Sequence, residues 1–211
     1  MANINENYLN LQGSYLFANI AKKVNEYQTA HPDADIIRLG IGDVTLPLAP
    51  AIIDAMSKAV QEMGKAETFR GYGPEQGYDF LRQAIVDGDY KPLDVDIAID
   101  EVFVSDGAKS DVGNIQELFS EDNIIAITDP VYPVYLDSNV MGGRTGEAVD
   151  GIFQKVVYLP TYAENNFSPE FPSERVDIVY LCSPNNPTGT VLSRARLAEW
   201  IKWCKDNDAI L

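Results

Sequence analysis

The sequence predicts an α/β protein: a three-layer α/β/α domain on a mostly parallel sheet, covered by helices on both faces. Three observations carry this. Short runs of β-formers alternate with amphipathic segments along the second half of the chain. The runs are almost wholly apolar, as in strands buried on both faces. Polar loops rich in Gly, Pro and Asn follow the ends of the runs, where open α/β sheets place their ligands.

The elements follow in order. Tyr15 to Gln28 sets Phe17, Ile20, Ala21, Val24 and Tyr27 at helical spacing. Ile36 to Ile41 reads as a strand and Gly42 to Ala49 as an irregular loop. Pro50 opens a helix whose inner face is Ile52, Met56, Ala59 and Met63. A Gly-rich, aromatic stretch from Phe69 to Gly77 leads into a helix through Leu81, Ala84 and Ile85. Glu101 to Val104 is a strand, Ala108 to Phe119 a helix, and Ile124 to Thr128 a strand. Lys155 to Leu159 and Val176 to Cys182 add two strands. Ser193 caps a helix with Leu197, Trp200, Ile201 and Cys204 on one face. Ala209-Ile210-Leu211 has the composition of a further strand, whose backbone groups would need partners. The chain is therefore expected to be the front part of a longer protein, truncated at its C-terminus.

Length and charge bound the function. The 211 residues suit one domain with a full core, or a domain and a half. A formal net charge of −16 argues against nucleic acid and anionic membranes as partners. Cys182 and Cys204 show neither metal spacing nor a disulfide framework, so a reducing compartment and no metal are expected. His31, the single histidine, lies in the turn signature His31-Pro32-Asp33. No stretch has membrane-spanning length and the N-terminus has no apolar signal core, so the expected location is cytoplasmic.

Four loops carry candidate chemistry. Ser183-Pro184-Asn185-Asn186-Pro187-Thr188-Gly189 follows a strand, and its prolines stiffen a loop that presents an amide. An amide both donates and accepts, so it can orient a ring oxygen without adding charge. Ser105-Asp106-Gly107-Ala108-Lys109-Ser110 opens a helix whose first N–H groups point out of its end, a phosphate cradle. Lys109 opposes the dipole there, a conflict that a bound anion would relieve. Asp129-Pro130-Val131-Tyr132-Pro133-Val134-Tyr135 is a rigid platform able to present a ring face to a flat aromatic group. Gly71-Tyr72-Gly73-Pro74-Glu75-Gln76-Gly77 presents a phenol that can donate to a phosphate oxygen. Each loop also reads as an ordinary turn, a solvated lysine or tyrosines packed on a sheet.

Together, in this order and spacing, the four loops resemble the N-terminal half of fold-type I, class I/II pyridoxal-phosphate aminotransferases. With Gln12 to Phe17, the Leu39 to Val44 loop and Gly107 to Asp111, the chain is most similar to the LL-diaminopimelate aminotransferase group of that family. The resemblance implies pyridoxal 5'-phosphate as cofactor, held by Tyr72, Ala108, Lys109, Tyr132 and Asn186. Tyr132 would stack on the ring and Asn186 would bond its oxygen. The amides of Ala108 and Lys109 would bind the phosphate, with Tyr72 supplied by the partner subunit of a homodimer. Substrate would meet Tyr15, Gly42, Glu75, Lys109, Tyr132 and Asn186, with Gly42 at the α-carboxylate and Tyr15, Glu75 and Lys109 at the far end. The substrates implied are LL-diaminopimelate and 2-oxoglutarate (glutamate on return), in lysine biosynthesis.

The resemblance also implies a domain plan. Residues 1–48 would contribute to a small domain and the active-site entrance, and 49–211 would be the first part of the large cofactor-binding domain. No lysine here follows the Ser-x-x-Lys pattern of the family's Schiff-base residue, which is expected beyond Leu211, so the 211-residue chain alone would be inactive. An aminotransferase for another amino acid, or a catalytically silent aminotransferase-like binding domain, are the alternatives. A nucleotide-binding domain is disfavoured, because the Gly107 turn lacks both the dinucleotide glycine pattern and a Gly-Lys-Ser/Thr ending.

Overall fold

The computed structural model describes residues 2–11, 16–38 and 44–211. They divide into two compact units, Met1–Gly13 with Gly107–Leu211, and Ser14–Asp106.

In the first unit, β1 (Ile125–Asp129) is followed by a short antiparallel hairpin, β2 (Ala148–Val149) and β3 (Ile152–Phe153). Then come β4 (Val156–Pro160) and β5 (Ile178–Tyr180). The main sheet runs β4-β1-β5, all parallel, with Ile125 opposite both Val156 and Ile178. Ile210 forms a parallel bridge to Ile178: its N–H donates to the Asp177 carbonyl at 2.9 Å and its carbonyl accepts from Val179 at 2.8 Å. The strand character expected of Ala209-Ile210-Leu211 is thus present at Ile210.

Alternate residues of a strand face opposite sides, and the core divides accordingly. Ile125 and Ile127 pack with Val140, Phe153, Val156 and Ile178 on one side. Ala126 packs with Leu159, Val176, Val179, Trp200 and Cys204 on the other. Val140 belongs to α5 (Pro133–Met141), while Trp200 and Cys204 belong to α6 (Arg194–Asp206), so the predicted three layers are present. Ser193 caps α6 through its hydroxyl, which accepts from the Arg196 N–H at 3.1 Å.

The predicted helix from Ala108 to Phe119 is an α-helix only over α4 (Ala108–Asn114) and tightens to a 3-10 turn at Ile115–Leu118. Buried Arg144 explains that ending. It donates to the carbonyls of Gln116, Phe119 and Ser120 at 2.7, 2.6 and 3.2 Å, taking up acceptors that a helix end leaves open.

The second unit holds α1 (Leu16–Ala30), α2 (Pro50–Met63) and α3 (Asp79–Ile85). One strand expectation fails here, and a second is described only in part. Ile99–Glu101 is a 3-10 turn, and Val102 to Val104 pair with no strand among the described residues; instead the Val104 N–H donates to the Gln76 carbonyl at 2.9 Å. Residues 36–38 have no regular structure, and 39–41 lie outside the described residues. The expected inner face of α2 is exposed, with Ile52 at 48 % and Met56 at 58 %. Proline at its first position and the helical period suffice to form α2, but no described element covers its apolar stripe. No described helix is long and apolar enough to cross a membrane.

Candidate active site

The loops after β1 and β5 leave the carboxyl ends of neighbouring parallel strands, so the topology brings the Tyr132 and Asn186 segments to one edge of the sheet. The Asp129 carbonyl accepts from the Thr161 N–H at 2.7 Å and from its hydroxyl at 3.1 Å, which ties the start of the first loop to the end of β4. The loop is shorter than expected. Pro133 starts α5, with Tyr132 as the residue before its first turn. Proline is at home there because the missing N–H would have no helical partner.

Tyr132 is half-buried and meets Tyr135 edge-on, centroids 6.1 Å apart at 84°. Tyr135 in turn lies 5.5 Å from the Tyr180 ring. Burial pushes the Tyr135 phenol above its ordinary value, and the charge and hydrogen bond of Cys182 push in the same direction. The Cys182 thiol donates to the Pro184 carbonyl at 3.2 Å.

In the second loop the Asn185 N–H donates to the Thr190 carbonyl at 2.8 Å, and its own carbonyl accepts from Gly189 at 2.7 Å. Its side-chain Nδ2 donates to Thr188 Oγ1 at 3.0 Å and to the Pro130 carbonyl at 3.2 Å. The hydroxyls of Thr188 and Thr190 are 2.7 Å apart. Ser183 Oγ accepts from the Leu192 N–H at 3.1 Å, closing the loop at its base. Asn186 projects from this braced turn and is exposed.

At the start of α4, Gly107 has φ 138°, a conformation that side chains beyond glycine rarely adopt. The first turn closes with Ser110 donating to the Gly107 carbonyl at 3.1 Å, so the N–H groups of Ala108 and Lys109 precede the helical ladder. Both residues are exposed. Burial pushes the Asp137 carboxyl on α5 above its ordinary value, while the Lys109 charge pulls it down. That neighbour relieves part of the conflict between Lys109 and the helix dipole, and it went unseen in the sequence because Asp137 belongs to another helix.

In the second unit, Tyr72 is fully exposed and Glu75 is exposed. Their loop is anchored next door, at Gln76. Arg82, itself buried, donates to Gln76 Oε1 and to the Ile99 carbonyl, each at 3.1 Å, and to Asp79 Oδ1 at 2.6 Å. The Gly77 N–H donates to the Pro74 carbonyl at 2.9 Å. Tyr15 and Gly42 lie outside the described residues. Among the expected site residues, Ala108, Lys109, Tyr132 and Asn186 share one unit, and Tyr72 and Glu75 the other. Among the described residues no cluster of His, Cys, Asp or Glu could hold a metal ion.

A parallel sheet with an aromatic platform, a stiff amide loop and a helix start at its edge defines a class, and the family comparison agrees. The profile of aminotransferase class I and II matches residues 34–211, and the chain belongs to that family. It is 58 % identical to an LL-diaminopimelate aminotransferase of Methanosphaera stadtmanae over 99 % of this chain and 51 % of that protein. It is 60 % identical to one of Agathobacter rectalis, over 100 % and 53 % respectively. The solved L,L-diaminopimelate aminotransferase of Chlamydomonas reinhardtii superposes with a TM-score of 0.88 at 42 % identity, over 100 % of this chain and 52 % of that one. The chain thus spans about half the length of the relatives it matches.

Proposed function

We propose that this chain is the N-terminal part of an aminotransferase that exchanges an amino group between LL-2,6-diaminopimelate and 2-oxoglutarate, with pyridoxal 5'-phosphate as cofactor. The observation that carries this reading is the convergence of the Tyr132 and Asn186 loops on neighbouring strand ends, in a chain whose relatives are named LL-diaminopimelate aminotransferase. The donor set fits the cofactor: a half-buried phenol ring, a carboxamide, two first-turn N–H groups and an ammonium. When bound, the cofactor supplies an electron sink for charge developing at the substrate α-carbon.

The chain's own groups bind and orient. Tyr132 offers its ring face, Asn186 donates to the ring oxygen, and the N–H groups of Ala108 and Lys109 receive the phosphate. Tyr72, fully exposed, is suited to reach a phosphate in the partner subunit of a homodimer. Gly42 meets the α-carboxylate through its backbone, and Tyr15, Glu75 and Lys109 read the distal ammonium and carboxylate. Residues 1–48 serve the small domain and the entrance, and 49–211 the large domain. The covalent role is assigned to none of this chain's lysines. The two free thiols, in keeping with a reducing compartment, favour a cytoplasmic setting.

The test is made on the intact protein. The parent is expected to retain pyridoxal phosphate and to exchange the amino group between the two substrates; failure of either overturns the proposal. Glu75→Gln keeps the shape and removes the charge that pairs with the distal ammonium. It is expected to lower kcat/KM for LL-diaminopimelate at least about tenfold, or 1.4 kcal/mol, with cofactor binding unchanged. An unaltered kcat/KM shows that position 75 does not read the substrate.

A further inference from the structure

Asn186 and Tyr132 are separated along the chain by one α-helix, a 3-10 turn and four strands, yet their proposed roles require them to face one small ring from fixed positions. The ladder between β1 and β5 does not reach that far: its last register pair is Ile127 with Tyr180, and both site residues lie beyond it. Something other than strand pairing sets the distance between the two loops.

We infer that Asn185 is a positioning residue that locks the Asn186 loop to the Tyr132 loop through its side-chain amide. The inference rests on the cofactor reading above. A carboxamide nitrogen has two N–H donors, and both are used. One bonds Thr188 Oγ1 at 3.0 Å inside its own loop; the other crosses to the Pro130 carbonyl at 3.2 Å. Pro130 is two residues before Tyr132, and Asn185 is one residue before Asn186. A single amide therefore joins the backbone beside one ring-contacting residue to the backbone beside the other.

The amide is itself held from both sides. The backbone bonds with Thr190 and Gly189 fold the loop around Asn185, and Thr190 hydrogen-bonds to Thr188. Asn185 Oδ1 is buried with no protein partner among the described residues, so the side chain is held as a donor. A further link, at the base of the two segments, runs from Cys182 and the Tyr180 ring to Tyr135, in the first turn of α5. That link braces the helix, whereas the Asn185 bridge lands on the loop itself. An aspartate at 185 would have the same shape with no donors, and its carboxylate would face the Pro130 carbonyl.

The experiment uses the intact protein stripped of cofactor, with pyridoxal phosphate as the probe. Affinity is read by quenching of tryptophan fluorescence, and the pH midpoint of the bound cofactor's visible band by titration. Asn185→Leu and Asn185→Asp are compared with Asn186→Ala. Asn185→Leu is expected to weaken pyridoxal-phosphate binding about tenfold, as for one to two lost hydrogen bonds, and to move the midpoint in the same direction as Asn186→Ala. Asn185→Asp should do the same, and it carries the test should the leucine variant not fold. A lower melting temperature of the apoprotein with unchanged affinity and midpoint overturns the inference, because a merely structural asparagine behaves that way. A parent that binds no pyridoxal phosphate overturns the function reading instead, whereas binding by the parent with parent-like variants overturns this inference alone.

Discussion

The anchor of the Glu75 loop can be tested at a single glycine. Gly77 has φ 99°, and a Cβ built on it would lie 2.7 Å from Val104 Cγ2 and 2.8 Å from Val104 Cβ. Valine is β-branched and stiff at χ1, and its Cβ moves only with its backbone, which the Gln76 carbonyl holds at 2.9 Å from the Val104 N–H. Gly77→Ala therefore meets two separate costs. Backbone strain at that φ is about 1–3 kcal/mol, and overpacking adds about 1–3 kcal/mol. The expected loss is about 2–6 kcal/mol, read as a drop in the urea midpoint at unchanged slope. Val104→Gly removes the clashing atoms but leaves the φ strain. A double-mutant cycle between positions 77 and 104 should then return a favourable coupling of about 1–3 kcal/mol. A loss below about 1 kcal/mol, or a coupling indistinguishable from zero, refutes the close approach. Because Gly77 ends the loop that carries Glu75, the variant should also lower kcat/KM for LL-diaminopimelate more than it weakens cofactor binding.

Trp200, 4.8 Å from the Phe171 ring, is the largest fully buried side chain on its face of the sheet, so Trp200→Ala should cost about 3–5 kcal/mol in urea unfolding; a loss under about 1 kcal/mol contradicts the packing described. Asp177 is pushed up by burial, but the N–H of Ile124 at 2.8 Å and the Arg175 guanidinium at 2.7 Å outweigh this and hold its carboxyl below the ordinary value of 3.8. Its contribution is fully present above that value and is lost as pH falls through the lower, folded-state value. Asp177→Asn should therefore destabilise by about 1–3 kcal/mol at neutral pH. The gap from the parent should narrow in acid below the ordinary value; a gap that stays constant there refutes the assignment.

Elements whose cause is local were legible in the sequence. Ser193 and the spacing of Leu197, Trp200 and Cys204 define α6 without help from the rest of the chain, and the apolar runs at β1, β4 and β5 did the same for the sheet. Pro133 was legible but ambiguous: a proline both stiffens a loop and starts a helix, and the apolar run of Val134, Tyr135 and Leu136 decides for the helix only once the sheet is there to receive it. The β2–β3 hairpin carried a signal that went unused, Asp150-Gly151 between β-formers, both with positive φ in the structure. The Glu101 to Val104 segment has strand composition but no ladder partner among the described residues, and composition alone does not supply one. At the proposed site, the candidates Lys109, Tyr132 and Asn186 could be picked out because each sits in a loop at a predicted element end. Asn185 was not, because its partner Pro130 is 55 positions away and the sequence does not show which strand ends are neighbours.

Two side chains that sequence reading passed over, Arg82 and Asn185, solve one problem in the two units. A loop beyond the end of regular structure has no backbone ladder to fix it, yet a recognition residue on it must be placed to within a fraction of an ångström. In each case the neighbouring position supplies the anchor: Gln76 beside Glu75 is gripped by the Arg82 guanidinium, and Asn185 beside Asn186 grips the Pro130 carbonyl. Because the proposed recognition residues, Glu75 and Asn186, are left out of these bonds, their polar groups stay available for a ligand. Such anchors work by direction and distance, so they rest on planar groups with several N–H donors, a guanidinium and a carboxamide, rather than on apolar contacts, which are not directional. Substitution at an anchor should accordingly disturb the geometry of binding before it disturbs the fold, which separates these two residues from the apolar core around Trp200.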